Sequence, residues 1–174
     1  MVQNTPTNEK CITNFINQTA EKWEIVNDGV MGGCSESRFE INEQGNGVFR
    51  GNISLENNGG FASVRHREAL SFEAYSQLHL KLKCDGKRYC FRLRTADEHG
   101  KINRFSYDYR FDTKPNCWQD VYLPLSDFRP FFRGRALQHV SPLDQSAIRQ
   151  YGFLISDRQE GPFRLEISGI WGKS

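Results

Sequence analysis

An all-β domain is what this sequence predicts: antiparallel strands at the spacing of a sandwich or barrel. Three observations predict it. Apolar residues recur at every second position along several segments, turn residues separate those segments at short regular spacing, and helical periodicity is almost absent between them. The chain is also rich in aromatics, with 13 Phe, 6 Tyr and 3 Trp in 174 residues, and such side chains suit a pleated, half-buried surface better than a helix. A chain of this length makes one domain and buries roughly 70% of its unfolded surface without metal or disulfide staples.

Residues 1–20 read as a partly flexible N-terminal arm, frayed over 1–10 and either a short helix or extended over 11–20, and residues 21–174 as one sandwich domain. Alternation starts at Trp23. Leu78, Leu80 and Leu82 alternate with His79, Lys81 and Lys83, and Tyr89, Phe91 and Leu93 alternate with Cys90, Arg92 and Arg94. The same pattern sets Phe105, Tyr107, Tyr109 and Phe111 against Ser106, Asp108 and Arg110, and Phe163, Leu165 and Ile167 against Arg164, Glu166 and Ser168. Strand phase continues to Trp171 and places it with the core. Turns fall at Gln44-Gly45-Asn46-Gly47, Asp85-Gly86-Lys87-Arg88 and Glu98-His99-Gly100-Lys101, each read as closing a hairpin. Altogether about ten strands are expected at this spacing. Helices are restricted to 71–76 and 144–150, with Asp144 capping the second. Residues 126–151 form one long connection whose Phe128, Phe131, Phe132 and Leu137 argue for packing, hence order.

The net charge of +2 is unevenly spread: residues 61–110 hold 11 Lys/Arg against 6 Asp/Glu, whereas 1–60 hold 4 against 8. That bias suits the steering of anions or of an acidic partner but falls short of the balance of dedicated nucleic-acid binders. Five Cys without a C-x-x-C pair indicate neither a zinc knuckle nor a disulfide framework, and point to a reducing compartment. The start resembles neither a secretory signal nor a transit peptide, and no segment approaches the ~20 apolar residues of a membrane span, so a cytoplasmic, bacterial-type protein without membrane insertion is expected. Nucleotide-binding, zincin and serine-hydrolase motifs are absent, and no two carboxylates are nominated by their spacing, so no catalytic residue is assigned. No cofactor or metal is expected. A structural Ca²⁺ among loop carboxylates is the one alternative, and its ligand set cannot be assembled from spacing.

Candidate binding residues lie in the Gly-framed corners and on the basic strands. Asp28 and Met31 sit in Asn27-Asp28-Gly29-Val30-Met31-Gly32-Gly33, where Asp28 either contacts a ligand or serves turn chemistry, with Gly32 and Gly33 supplying positive φ. Asn58 and Phe61 belong to Asn58-Gly59-Gly60-Phe61, and Asp157 to the turn after Ile155. Arg133 and Arg135 flank Gly134 as two guanidinium forks, suited either to carboxylate, phosphate or sugar hydroxyls or to pinning the long connection on Asp127, Asp157 or Glu160. Arg65, Arg67, His79, Lys81, Lys83, Arg92 and Arg94 form a basic face that is either a binding surface or merely solvated.

The ordered set Trp23…Asn27-Asp28-Gly29-Val30-Met31-Gly32-Gly33, Phe49-Arg50-Gly51-Asn52-Ile53, Asn58-Gly59-Gly60-Phe61, Asp85-Gly86-Lys87-Arg88-Tyr89, Trp118–Phe128, Phe132-Arg133-Gly134-Arg135 and Gly152–Asp157 resembles the complex I intermediate-associated protein 30 family. The resemblance runs from about Trp23 to Ile170 and implies a two-sheet antiparallel β-sandwich, galactose-binding-like and of jelly-roll type, similar to some carbohydrate-binding modules. It implies a non-catalytic assembly factor or chaperone-like partner for protein subunits of a multisubunit respiratory or photosynthetic complex. A carbohydrate-binding module, using Trp23, Trp118 or Trp171, is the alternative. Chloroplast relatives tied to messenger RNA translation make RNA binding the second.

Overall fold

The computed structural model describes residues 8–174, so residues 1–7 of the frayed start expected over 1–10 lie outside the described residues, while Glu9 and Lys10 are strand and not frayed. Thirteen strands follow in chain order: β1 (Glu9–Asn14), β2 (Trp23–Asn27), β3 (Glu36–Ile41), β4 (Gly47–Ile53), β5 (Ala62–Leu70), β6 (Gln77–Asp85), β7 (Tyr89–Thr95), β8 (Ser106–Phe111), β9 (Pro115–Pro124), β10 (Arg129–Phe132), β11 (Arg135–Ala136), β12 (Ile148–Ile155) and β13 (Gly161–Lys173). They make two antiparallel sheets. One runs β3-β4-β13-β6-β9, with β1 also on β13, and the other β11-β10-β8-β7-β12-β5-β2. The sandwich is therefore as expected, with more strands than the ten or so the spacing suggests.

Alternation is what packs it. Leu78, Leu80 and Leu82 of β6 meet Phe91, Leu93, Tyr151 and Phe153 of the other sheet in one core that also takes in Phe49, Leu165 and Ile167. Trp23 closes one end, stacked on Phe39 at 5.0 Å and tilted against Phe15 at 5.5 Å. Phe15 is buried and β1 pairs with β13 from Glu9↔Lys173 to Asn14↔Gly169, so this part of the arm is built into the sandwich.

Several local expectations are corrected. The turn at Asp85-Gly86 carries the chain from β6 in one sheet to β7 in the other instead of closing a hairpin. Gly86 takes φ +86 there, and Tyr89 Oη donates back to Asp85. Residues 71–76 form a turn, and the helical turn after Asp144 is a single one, Gln145–Ala147, before β12 begins at Ile148. Asp144 does cap it, accepting from Ser146 N at 3.0 Å. The long connection contains the hairpin β10–β11, which extends the second sheet by pairing β10 with β8. Trp171 is only half-buried and faces outward, because a bulge between Ile167 and Gly169 shifts strand phase and sends Ile170 inward in its place. It lies 5.3 Å from His79, which in turn stacks on Tyr122 at 4.6 Å.

Gly152 sits where the second sheet leaves no room for a side chain. A Cβ there would collide with Val64 O and sit 2.8 Å from Arg65 Cα, main-chain atoms that cannot rotate aside. Gly152→Ala is expected to cost about 1–3 kcal/mol through forced strand displacement, read as a lower urea midpoint with unchanged slope.

Candidate functional site

The outer face of the second sheet is a groove of about 530 Å³. Register sets the rows of this face: Glu24, Arg65, Gly152, Arg92, Asp108 and Arg129 stand in one across β2, β5, β12, β7, β8 and β10, and Arg67, Gln150 and Arg94 in a second, and of these Arg65, Gly152, Arg92, Gln150 and Arg94 line the groove. One wall is the hairpin tip, with Phe131, Phe132, Arg133 and Gly134. The other is the turn after β2, where Val30 and Met31 are 74% and 61% exposed. Both walls exist because of backbone turns: Arg133 and Gly134 have φ of 49° and 77°, and Gly32 has φ of 85°.

Six arginines line the groove (65, 92, 94, 104, 110 and 133), and no Asp or Glu does. Their situations differ. Arg65 holds Glu24 through Nε and Nη2, both at 3.0 Å. Arg92 holds Asp108 likewise at 2.9 and 3.0 Å, with Ser106 Oγ donating to the same carboxylate at 2.7 Å. Arg110 reaches Asp157 at 3.7 Å and lies over the Phe131 ring at 4.7 Å. Arg94, Arg104 and Arg133 make no ion pair among the described residues. Arg94 Nε is sealed from solvent and also lacks a hydrogen-bond partner. Burial, then the guanidinium charges of Arg92 and Arg65, lower the Arg94 pKa from its ordinary value. An electropositive floor with one unsatisfied fork is a place where a carboxylate or phosphate gains more than it would in water.

The sequence-nominated residues divide accordingly. Met31, Phe61, Arg65, Arg92, Arg94 and Arg133 all border the groove. Asn58, Arg135 and Asp157 are exposed outside its lining, and Asp157 serves Arg110. Arg133 and Arg135 make no ion pair with Asp127, Asp157 or Glu160, so the pinning alternative is not realised. The basic face is split: Arg65, Arg67, Arg92 and Arg94 belong to one sheet, His79, Lys81 and Lys83 to the other.

Asp28 is engaged within the protein. It is fully buried, and its carboxylate accepts from Ser35 N at 2.9 Å, Ser35 Oγ at 2.5 Å, Gly60 N at 2.7 Å and Phe61 N at 3.3 Å. It ties the turn after β2 to the turn before β5 and so holds the Met31 wall beside Phe61. Gly33 is needed for a different reason than positive φ, since its Cβ would come within 2.6 Å of Asp28 Oδ1; Gly59 would likewise meet Oδ2 at 2.6 Å. Arg104, Arg110, Val30, Phe131, Phe132 and Gln150 were not nominated as site residues. For Arg110 the signal was present, because it shares the outward phase of Asp108.

The family model described as Complex I intermediate-associated protein 30 matches residues 13–167. The chain is similar to "Complex I intermediate-associated protein 30, mitochondrial" of Mus musculus, 27% identical over 168 residues, covering 86% of this chain and 51% of that protein. The Drosophila melanogaster protein of the same name is 26% identical over 170 residues, covering 86% and 57%. The chain thus spans about half the length of these curated relatives. Among solved structures it is similar to the Family 11 carbohydrate-binding module of the cellulosomal cellulase Lic26A-Cel5E of Clostridium thermocellum, with TM-score 0.72, 14% identity and 95% of both chains covered. A Family 11 module in complex with a β-1,3-1,4-mixed-linked tetrasaccharide gives 0.73 at the same identity and coverage. At such identity the likeness concerns the fold alone. No helix among the described residues is long and apolar enough to cross a membrane.

Proposed function

We propose a function from one premise: this chain belongs to the complex I intermediate-associated protein 30 family. It acts as a non-catalytic binding module that assists assembly of a multisubunit redox complex, and it docks a protein subunit in the arginine groove. The observation that carries this reading is the groove itself, six arginines without a lining acid, walled by exposed Val30, Met31 and Phe132. Exposed apolar side chains around arginine are the composition of a protein interface.

The test is affinity purification from the native host, wild type against the combined Arg94→Ala, Arg104→Ala and Arg133→Ala variant, with mass spectrometry of what comes along. Respiratory or photosynthetic subunits are expected with the wild type and absent with the folded variant. Equal recovery by both would remove the groove from the function. Titration with a mixed-linkage tetrasaccharide checks the carbohydrate reading. The groove offers it no Trp: Trp23 is buried, and Trp118 and Trp171 lie on strands of the other sheet.

A further inference from the structure

We propose that the groove takes an acidic, partly apolar peptide segment in extended form, its carboxylates pairing with Arg94, Arg104 and Arg133. This rests on the docking reading above and specifies its ligand. The argument begins from which guanidinium groups are free. Arg65 and Arg92 already meet carboxylates through two nitrogens each, and Arg110 has Asp157. The other three have no acidic partner, and they are distributed over the floor (Arg94), the β7–β8 connection (Arg104) and the hairpin tip (Arg133). Separated free forks match a chain carrying several carboxylates better than one compact anion.

The walls choose between polyanions. Recognition of single-stranded nucleic acid needs aromatic faces open to stacking bases. Here Phe131 carries the Arg110 guanidinium at 4.7 Å and Phe132 that of Arg133 at 5.3 Å, so a face of each ring is already taken. Val30 and Met31 opposite are aliphatic and exposed, and a flexible thioether adapts to aliphatic or aromatic side chains of a peptide. Sealing Arg94 Nε away from water without a partner lowers stability in the free protein. A peptide carboxylate on the same guanidinium relieves the strain of its crowding by Arg92 and Arg65.

The test pans a random ten-residue peptide library on the wild-type protein, with Arg94→Gln as the counter-selected surface. Enriched peptides should carry two or more Asp or Glu beside apolar residues. Their affinity should fall at least tenfold in Arg94→Gln and fall with added salt, while the thermal unfolding midpoint of that variant is not lowered. Enrichment without acidic residues, or no loss in Arg94→Gln, overturns the inference. So does tighter, Arg94-dependent binding of an oligouridylate measured in parallel by fluorescence anisotropy. Retention of host subunits by Arg94→Gln with loss in Met31→Ser/Phe132→Ser would sink the acidic ligand and keep the docking groove; retention in all variants sinks both.

Discussion

Asp28→Ala should destabilise the protein by about 3–4 kcal/mol, because buried donors left without their acceptor lose several charge-assisted bonds at once. Two backbone amides of one loop, Gly60 and Phe61, and one of another, Ser35, converge on this carboxylate together with the Ser35 hydroxyl. Asp28→Asn keeps the shape but turns an NH₂ toward N–H donors, so it should recover only part of the loss. Urea unfolding with unchanged slope gives the number. The pH dependence has a definite sign. Burial raises the Asp28 pKa, but the bonds from Gly60, Ser35 and Phe61 outweigh it and hold the folded value below the ordinary 3.8. The unfolded chain then binds its proton first as pH falls, so this contribution is fully present above about pH 4 and is lost as pH drops through the folded pKa. The wild-type stability should fall over that acidic window more steeply than that of Asp28→Asn; parallel curves would refute the anchoring role. Because the same bonds hold Met31 beside Phe61, ligand affinity should drop with Asp28→Ala even where the variant remains folded.

The phase of the strands was legible in the sequence, and the neighbours of each strand were not. Period-two alternation correctly sets Arg92, Arg94, Asp108 and Arg110 on an outward side, since each alternates with a core residue. Placing Arg65 and Arg92 on either side of Gly152 needs the order β7-β12-β5, which pairs Gly152 with residues 60 and 87 positions earlier and leaves no local trace. The Asp85-Gly86 corner shows why: the same turn chemistry closes a hairpin or crosses between sheets, and only the destination of β7 decides. Asp28 illustrates the limit for sites. Asx-Gly reads as turn chemistry or as a ligand contact, and the answer lies in donors 7, 32 and 33 residues away. Trp171 was misplaced because one inserted residue at Ser168 reverses every later side chain, and a bulge is silent in an apolar strand. The short strands β10 and β11 hid behind Pro130 and Gly134, residues that ordinarily argue against sheet.

Asp108 should prove the second critical carboxylate, for a reason opposite to that of Asp28. Its side chain has no exposed surface and neutralises Arg92 through a two-pronged pair, in a floor otherwise crowded with positive charge. Removing it in Asp108→Ala leaves the Arg92 guanidinium desolvated beside Arg94, and such an orphaned charge costs about 3–5 kcal/mol. Arg92→Met alone should be costly as well, since it strands the carboxylate. The double change Arg92→Met/Asp108→Leu removes both charges and should lie within about 1.5 kcal/mol of wild type, because apolar packing of similar volume replaces a buried pair at little net loss. Chemical denaturation of wild type, Arg92→Met, Asp108→Leu and the double variant closes the cycle, and the two single losses together should exceed the double loss by about 3 kcal/mol or more. Additive single losses would mean that Asp108 acts only through Ser106. The double variant also separates the two arginines in function: with Arg92 gone and the fold retained, acidic peptides should still bind through Arg94, since Arg92 is already matched within the protein and Arg94 alone on the floor has a buried nitrogen without a partner.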